Sequence, residues 1–317
     1  MSQHHPVVTD RKVAALRQAM GPVIAGALAE RLVVEVMVNP DGKIWVDRIG
    51  EGRSWTGEHL AAADADRILR LLADHAGEVA AVMIEPGAQA VSVDGPILDA
   101  DREFLAAVRR LCDRQRIVLI FDEIITGFRY AGGSVQQATG VVPDLTCWGK
   151  ALSGGMALSA LTGKKAILGG TLSQAAYYPT FRGEMYSLAA ARAALTIYER
   201  DDVPAAIDRI GRRLFDGIDA VSQEVGAAGA MIGLPIRMIY KYDEPDPFRR
   251  RLRRTLLQQE LLQRGVLTFV GYMLPSLAHD DFAIDQVVAA YRDALAIVEQ
   301  VAAADSFASH LEIPLLQ

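Results

Sequence analysis

Cysteine is almost absent. Cys112 and Cys147 are the only thiols among 317 residues, and their spacing matches neither a disulfide framework nor a zinc site. No apolar run approaches the ~18 residues that a membrane-crossing helix needs. Residues 1–22 also lack the continuous apolar stretch of a secretory signal, so the expected location is the cytoplasm. Basic charge is not in excess: 33 Lys and Arg stand against 39 Asp and Glu, a net charge of −6. That balance leaves no stripe for nucleic acid. The one basic run, Arg249-Arg250-Arg251 with Arg253 and Arg254, follows a helical pattern and is expected to form a solvated face. No G-x-x-x-x-G-K-[ST] occurs, so no P-loop can cradle a triphosphate, and no G-x-S-x-G elbow presents a nucleophilic serine. No cluster of His, Cys and carboxylates has the spacing of a metal site, and no internal repeat or low-complexity tract is present. What remains is a chain with 51% hydrophobic residues, enough for a sizeable core and about two domains.

The chain is organised around two stretches. The first is Ile117-Val118-Leu119-Ile120-Phe121-Asp122-Glu123-Ile124-Ile125-Thr126-Gly127-Phe128-Arg129, a buried strand ending in two carboxylates. The second is Pro143-Asp144-Leu145-Thr146-Cys147-Trp148-Gly149-Lys150-Ala151-Leu152-Ser153-Gly154-Gly155, which sets one lysine between Trp-Gly and a Ser-Gly-Gly turn. An acid at a strand end and a lysine on a Gly-flanked loop suit pyridoxal phosphate: the amine forms a Schiff base, and the acid keeps the pyridine nitrogen protonated. Taken singly, Lys150 also reads as a surface lysine and Asp122 as a capping or ion-paired aspartate.

With Ile84-Glu85-Pro86 upstream and Thr180-Phe181-Arg182-Gly183-Glu184 downstream, these stretches resemble the class III pyridoxal-phosphate aminotransferases. The resemblance covers residues 79–299 and is nearest to the branch with glutamate-1-semialdehyde aminomutase. It implies a fold-type-I α/β large-domain remnant with a small α+β C-terminal domain, and transfer of an amino group between an amino acid and a keto acid or semialdehyde. By the same resemblance Lys150 is the covalent lysine, Asp122 the partner of the cofactor nitrogen, and Ile124 a side chain against the ring. Thr180 is the phosphate contact from the other subunit of a homodimer. Glu123 has a lesser part, orienting its loop.

The pattern from residue 79 onward alternates between strand and helix. Strands are expected at 79–84, 117–122, 145–148, 159–163, 232–240 and 265–269. Helices are expected at 101–114, 188–200, 203–225, 247–264 and 280–301. The proposed boundaries are 1–78 for a front segment, 79–202 for the large-domain part and 203–317 for the small domain.

The front segment reads as helix, hairpin, helix, with the hairpin turning at Asn39-Pro40-Asp41-Gly42. The run from Val34 to Gly52 resembles the N-terminal domain of conjugal-transfer secretion ATPases, a likeness spanning residues 10–75. Residues 1–78 do not show the first large-domain strands, the Gly/Ser-rich phosphate loop or the stacking aromatic that the aminotransferase family implies. The loop Gly87-Ala88-Gln89-Ala90 also departs from the family's pattern. An enzyme and a catalytically inactive chimera that keeps an ATPase assembly segment are therefore both open at this point.

Overall fold

The computed structural model describes residues 33–38, 43–48, 52–59, 79–87, 89–90, 97–171, 183–268 and 271–316. The helices expected at 11–30 and 65–76, and Thr180, lie outside them. The chain divides into two compact units, Met1–Ile84 with Asp101–Phe121 and Val141–Thr146, and Glu85–Ala100 with Asp122–Gly140 and Cys147–Gln317.

In the first unit, strands β1 (Val33–Val38), β2 (Lys43–Arg48) and β3 (Gly52–His59) form an antiparallel sheet in that order. The expected hairpin is there, with Val36 opposite Val46 and Val38 opposite Ile44. The third strand was not expected. It pairs Trp55 with Trp45 and Gly52 with Arg48. Its sequence, Gly-Arg-Ser-Trp-Thr-Gly-Glu-His, carries little of the apolar alternation that marks a strand.

Strand β4 (Ala81–Ile84) runs parallel to β7 (Val118–Asp122), with Ala81 opposite Val118 and Ile84 opposite Phe121. The short strands β5 (Gln89–Ala90) and β6 (Ile97–Leu98) pair separately. The crossover between β4 and β7 contains helix α1 (Arg102–Gln115). Asp101 caps it by accepting from the backbone N–H groups of Glu103 and Phe104. Leu105, Val108, Leu111 and Cys112 are buried at helical spacing, while Leu119 and Phe121 of β7 are fully buried at strand spacing. Asp144 accepts from the Leu119 N–H and from the Arg109 guanidinium at 2.8 Å each, so its buried charge is paired.

Strand β8 (Leu145–Trp148) and strand β9 (Ala160–Gly163) complete a sheet of order β4-β7-β8-β9. Helix α2 (Val135–Thr139) lies within the β7–β8 connection, and helices α3 (Lys165–Thr171), α4 (Met185–Asp201) and α5 (Val203–Glu224) follow β9. Glu184 caps α4 through the N–H groups of Tyr186 and Ser187.

The C-terminal part of the second unit holds the larger core. Strands β10 (Gly229–Leu234), β11 (Arg237–Tyr242) and β12 (Tyr272–Met273) form an antiparallel sheet. Side chains of this sheet join those of α5, α6 (Pro247–Gln263) and α7 (Asp281–Ala303) in one hydrophobic cluster that includes Ile218, Met238, Leu256, Tyr291 and Leu295. Two sequence expectations are corrected here. The single strand at 232–240 is a hairpin, because Pro235 cannot donate to a ladder and the chain turns at Pro235-Ile236. No strand forms at 265–268; the chain leaves α6 through a turn at Gly265, where φ is +78°.

The arginine run on α6 is likewise not a solvated face. Arg253 reaches Glu299 at 2.7 Å, Arg249 reaches Asp305 at 3.0 Å, and Arg254 is 8% exposed. These arginines fasten α6 to neighbouring elements. No described helix is long and apolar enough to cross a membrane.

Gly211 of α5 lies against the β10–β11 turn. A Cβ there would come within 1.9 Å of the Pro235 carbonyl oxygen. Gly211→Ala is therefore expected to lose about 2–3 kcal/mol despite the better helix propensity of alanine. A urea midpoint equal to that of the unsubstituted protein would show that the turn yields freely.

Candidate functional site

Parallel strands bring their carboxyl ends to one edge, where open α/β sheets bind ligands. Glu85 follows β4, Asp122 ends β7, and Lys150 comes two residues after β8. The β7–β8 alignment is read from two bonds, Asp144 N–H to Leu119 O at 2.8 Å and Glu123 N–H to Cys147 O at 3.0 Å. Both strands therefore end at that edge.

The Asp122 carboxylate accepts from the Ile124 N–H at 3.0 Å through one oxygen. The next residue, Glu123, turns inward. It is 0% exposed and accepts from Thr126 Oγ1 at 3.1 Å, Val135 N–H at 2.8 Å, Gln136 N–H at 3.2 Å and Gln136 Nε2 at 3.3 Å. A carboxylate facing N–H groups at the start of α2 folds the loop after β7 around itself. The orienting part expected of Glu123 is thus what its contacts provide.

Lys150 is exposed and makes no hydrogen bond or ion pair among the described residues. Its φ is +45°, a left-handed conformation costly for a residue with a Cβ. Gly149 before it packs on Ile124, and a Cβ at Gly149 would meet Ile124 Cγ2 at 3.4 Å. The two stretches singled out in the sequence therefore touch through Ile124 and Gly149.

An aromatic wall backs the loop. Phe128 lies 5.5 Å from Trp148 and stacks on Tyr198 at 5.2 Å, centroid to centroid. Trp148 Nε1 donates to Thr162 Oγ1 at 2.7 Å, and Tyr198 donates to the Ala151 carbonyl at 2.6 Å. Gly127 has to be glycine here, since a Cβ would lie 2.7 Å from Glu123 O and 2.8 Å from the Trp148 ring.

Glu85 is an exposed residue directly after β4. Burial and the charge of Asp122 push its pKa up, while Arg237 and Lys150 pull it down. Asp122, Lys150 and Arg237 therefore all act on one carboxyl group. Two arginines here were not foreseen from the sequence. Arg129 closes the first motif, and its buried guanidinium donates to Ile236 O at 2.7 and 3.2 Å and to Pro275 O at 2.9 Å. Burial lowers its pKa to about 10. Among the described residues no group of His, Cys, Asp and Glu could hold a metal ion.

A model of the family described as aminotransferase class-III matches residues 11–295. The chain belongs to the class III aminotransferases. A glutamate-1-semialdehyde 2,1-aminomutase of Opitutus terrae is 32% identical over 260 residues, 76% of this chain and 59% of that protein. The chain thus spans less than two thirds of the length of this curated relative. Among solved structures, the PLP internal aldimine form of the Sphingopyxis sp. MTA144 FumI protein superposes with a TM-score of 0.68 at 24% identity, over 78% of this chain and 58% of that one. An omega-transaminase from Sphaerobacter thermophilus gives 0.67 at 24% identity, over 84% and 64%. These likenesses show the fold, a fold-type-I transferase. Pyridoxal phosphate is the cofactor of this aminotransferase family. The class III match begins at residue 11 and runs through β1 to β3, and it does not show the secretion-ATPase resemblance of residues 10–75.

Proposed function

We propose that this class III aminotransferase chain binds pyridoxal phosphate and transfers an amino group between an amino acid and a keto acid or semialdehyde. The observation that carries the reading is the meeting of the two motifs at one sheet edge, with Asp122 at the end of β7 and Lys150 on the loop that packs Gly149 against Ile124. The donor set fits the group. Asp122 uses one oxygen on Ile124 N–H, which leaves the other for the ring nitrogen. Lys150 offers an amine with no competing partner among the described residues. When bound, the cofactor supplies an electron sink for chemistry at the substrate's Cα.

In this reading Lys150 would hold the cofactor through its amine and, with substrate bound, would move the proton at the substrate's Cα. Asp122 keeps the ring nitrogen protonated, because an opposite charge favours the charged form. Ile124 covers one ring face. Thr180 is assigned to the phosphate of the partner subunit in a homodimer, and the cytoplasm is the proposed compartment. Residues 79–202 are taken as the large-domain part and 203–317 as the small domain.

A second reading keeps residues 1–78 as a secretion-ATPase-like segment on a catalytically inactive chain. It is favoured by one observation: β1, β2 and β3 pair only with one another among the described strands. Cofactor retention separates the two readings. After incubation with pyridoxal phosphate and gel filtration, the protein is expected to keep a visible band that borohydride fixes to the chain. A colourless protein would hand the case to the inactive chimera.

A further inference from the structure

Resting on the aminotransferase reading, we propose that Tyr198 is a positioning residue for Lys150. Its hydroxyl, through the Ala151 carbonyl, holds the turn that presents the amine. The argument begins with two strained stretches of backbone. Phe128 has a φ of +65° and Lys150 a φ of +45°, left-handed values that are costly for a residue with a Cβ. Each stands in one of the two motif stretches. Such conformations persist only where their surroundings over-determine them.

The turn at Lys150 is held from both ends. Before it, Gly149 packs on Ile124. After it, Leu152 and Ser153 are buried, and Leu152 N–H closes on Gly149 O at 3.0 Å. Between them lies the Ala151 carbonyl. Its backbone donor, Gly154 N–H, is distant at 3.4 Å, and the short bond comes from the Tyr198 hydroxyl at 2.6 Å. Lys150 is exposed, so the place of its amine is set by its backbone. A phenol that fixes the next residue acts on the chemistry without touching cofactor or substrate.

Tyr198 is itself held in place. Its ring stacks on Phe128 at 5.2 Å with the planes 13° apart, and it packs on the cluster of Val203, Ile207 and Ile236. Its backbone belongs to the 17-residue helix α4, so the hydroxyl is carried on a rigid element. One side chain therefore joins Phe128 of the Asp122 stretch to Ala151 of the Lys150 stretch. The other side-chain bond of the aromatic wall, Trp148 to Thr162, involves no group of the Lys150–Ser153 turn.

The test uses the full chain with pyridoxal phosphate and cyanoborohydride. Peptide mapping reads the label at Lys150 against that at Lys165, which is also exposed. The unsubstituted protein is expected to label Lys150 at least about tenfold faster than Lys165. Tyr198→Phe keeps the stacked ring, loses only the hydroxyl, and is expected to cut that preference at least about fivefold. Thr162→Val removes the other bond of the wall and should leave the preference unchanged. Reductive methylation with formaldehyde, which needs no cofactor site, reports access to the amine and should be equal in all three proteins. A preference kept in Tyr198→Phe, an equal loss in Thr162→Val, or a loss that formaldehyde shares overturns the proposal. If Tyr198→Phe does not fold, Phe128→Leu, which removes the stack that places the phenol, decides by the same comparison. An unsubstituted protein that labels Lys150 no faster than Lys165 refutes the aminotransferase reading instead, and the proposal falls with it.

Discussion

A Lys150→Ala variant is expected to fold as well as the unsubstituted protein and to transfer amino groups at least about 1,000-fold more slowly. The stability half follows from exposure. Lys150 has no described partner to lose, and alanine carries the same left-handed penalty at φ +45° that lysine already carries. The melting temperature should therefore move little, in keeping with surface substitutions of about ±0.5 kcal/mol. The activity half follows from two duties on one amine. Positioned proton transfer alone is worth about 10²–10⁴, and in the proposed function the same group also holds the cofactor. Turnover with a broad amino-donor panel, beside a thermal melt, checks both halves. A variant that keeps a tenth of the activity would move the chemistry to another amine. One that melts early would mean that the loop, not the amine, was disturbed.

The largest stability effect is expected at Glu123. Glu123→Ala removes the acceptor for four donors at once, two of them backbone N–H groups at the start of α2. Unpaired buried donors each cost about 1–3 kcal/mol before water or relaxation relieves them. A loss of about 3–5 kcal/mol is the expected total. Glu123→Gln keeps the shape but turns an amide N–H₂ toward at least one N–H, and should lose about 2 kcal/mol. Denaturant unfolding gives both values. Equal stability of the alanine variant would mean that the loop after β7 is held by the aromatic wall instead. The two predictions separate cleanly, because Lys150 governs rate and Glu123 governs whether the loop exists.

Much of this molecule was legible in its sequence because the informative signals were local. The apolar run before Asp122 could only be a buried strand, and β7 lies one residue inside the range read for it. Asp101 and Asp280 cap helices that begin at the next residue. Lys150 and Asp122 were both named, and Ile124 was expected against the cofactor ring; its position beside Gly149 in the structure was not foreseen. The misses have a common cause. Ile232 to Tyr240 is apolar enough for one strand, and only the pairing of Gly229 with Tyr242 reveals a hairpin. The α6 arginines looked solvated because their carboxylate partners Glu299 and Asp305 lie 46 and 56 residues away. Arg129 stood in the quoted motif without a role for the same reason. Its acceptors are backbone carbonyls, which leave no mark in a sequence.

That distance has a consequence for synthesis. The carbonyls that satisfy Arg129 come 107 and 146 residues after it. At about 5–20 residues per second a ribosome needs roughly 7–30 s to reach the second of them. Until Ile236 has been made, the Arg129 guanidinium lacks the carbonyl that receives both its Nε and its Nη2. The loop that bears Asp122 therefore cannot be completed as it is made. It waits for later parts of the chain, so a ribosome stalled before Pro275 would expose a chain whose loop after β7 is made but not yet fastened.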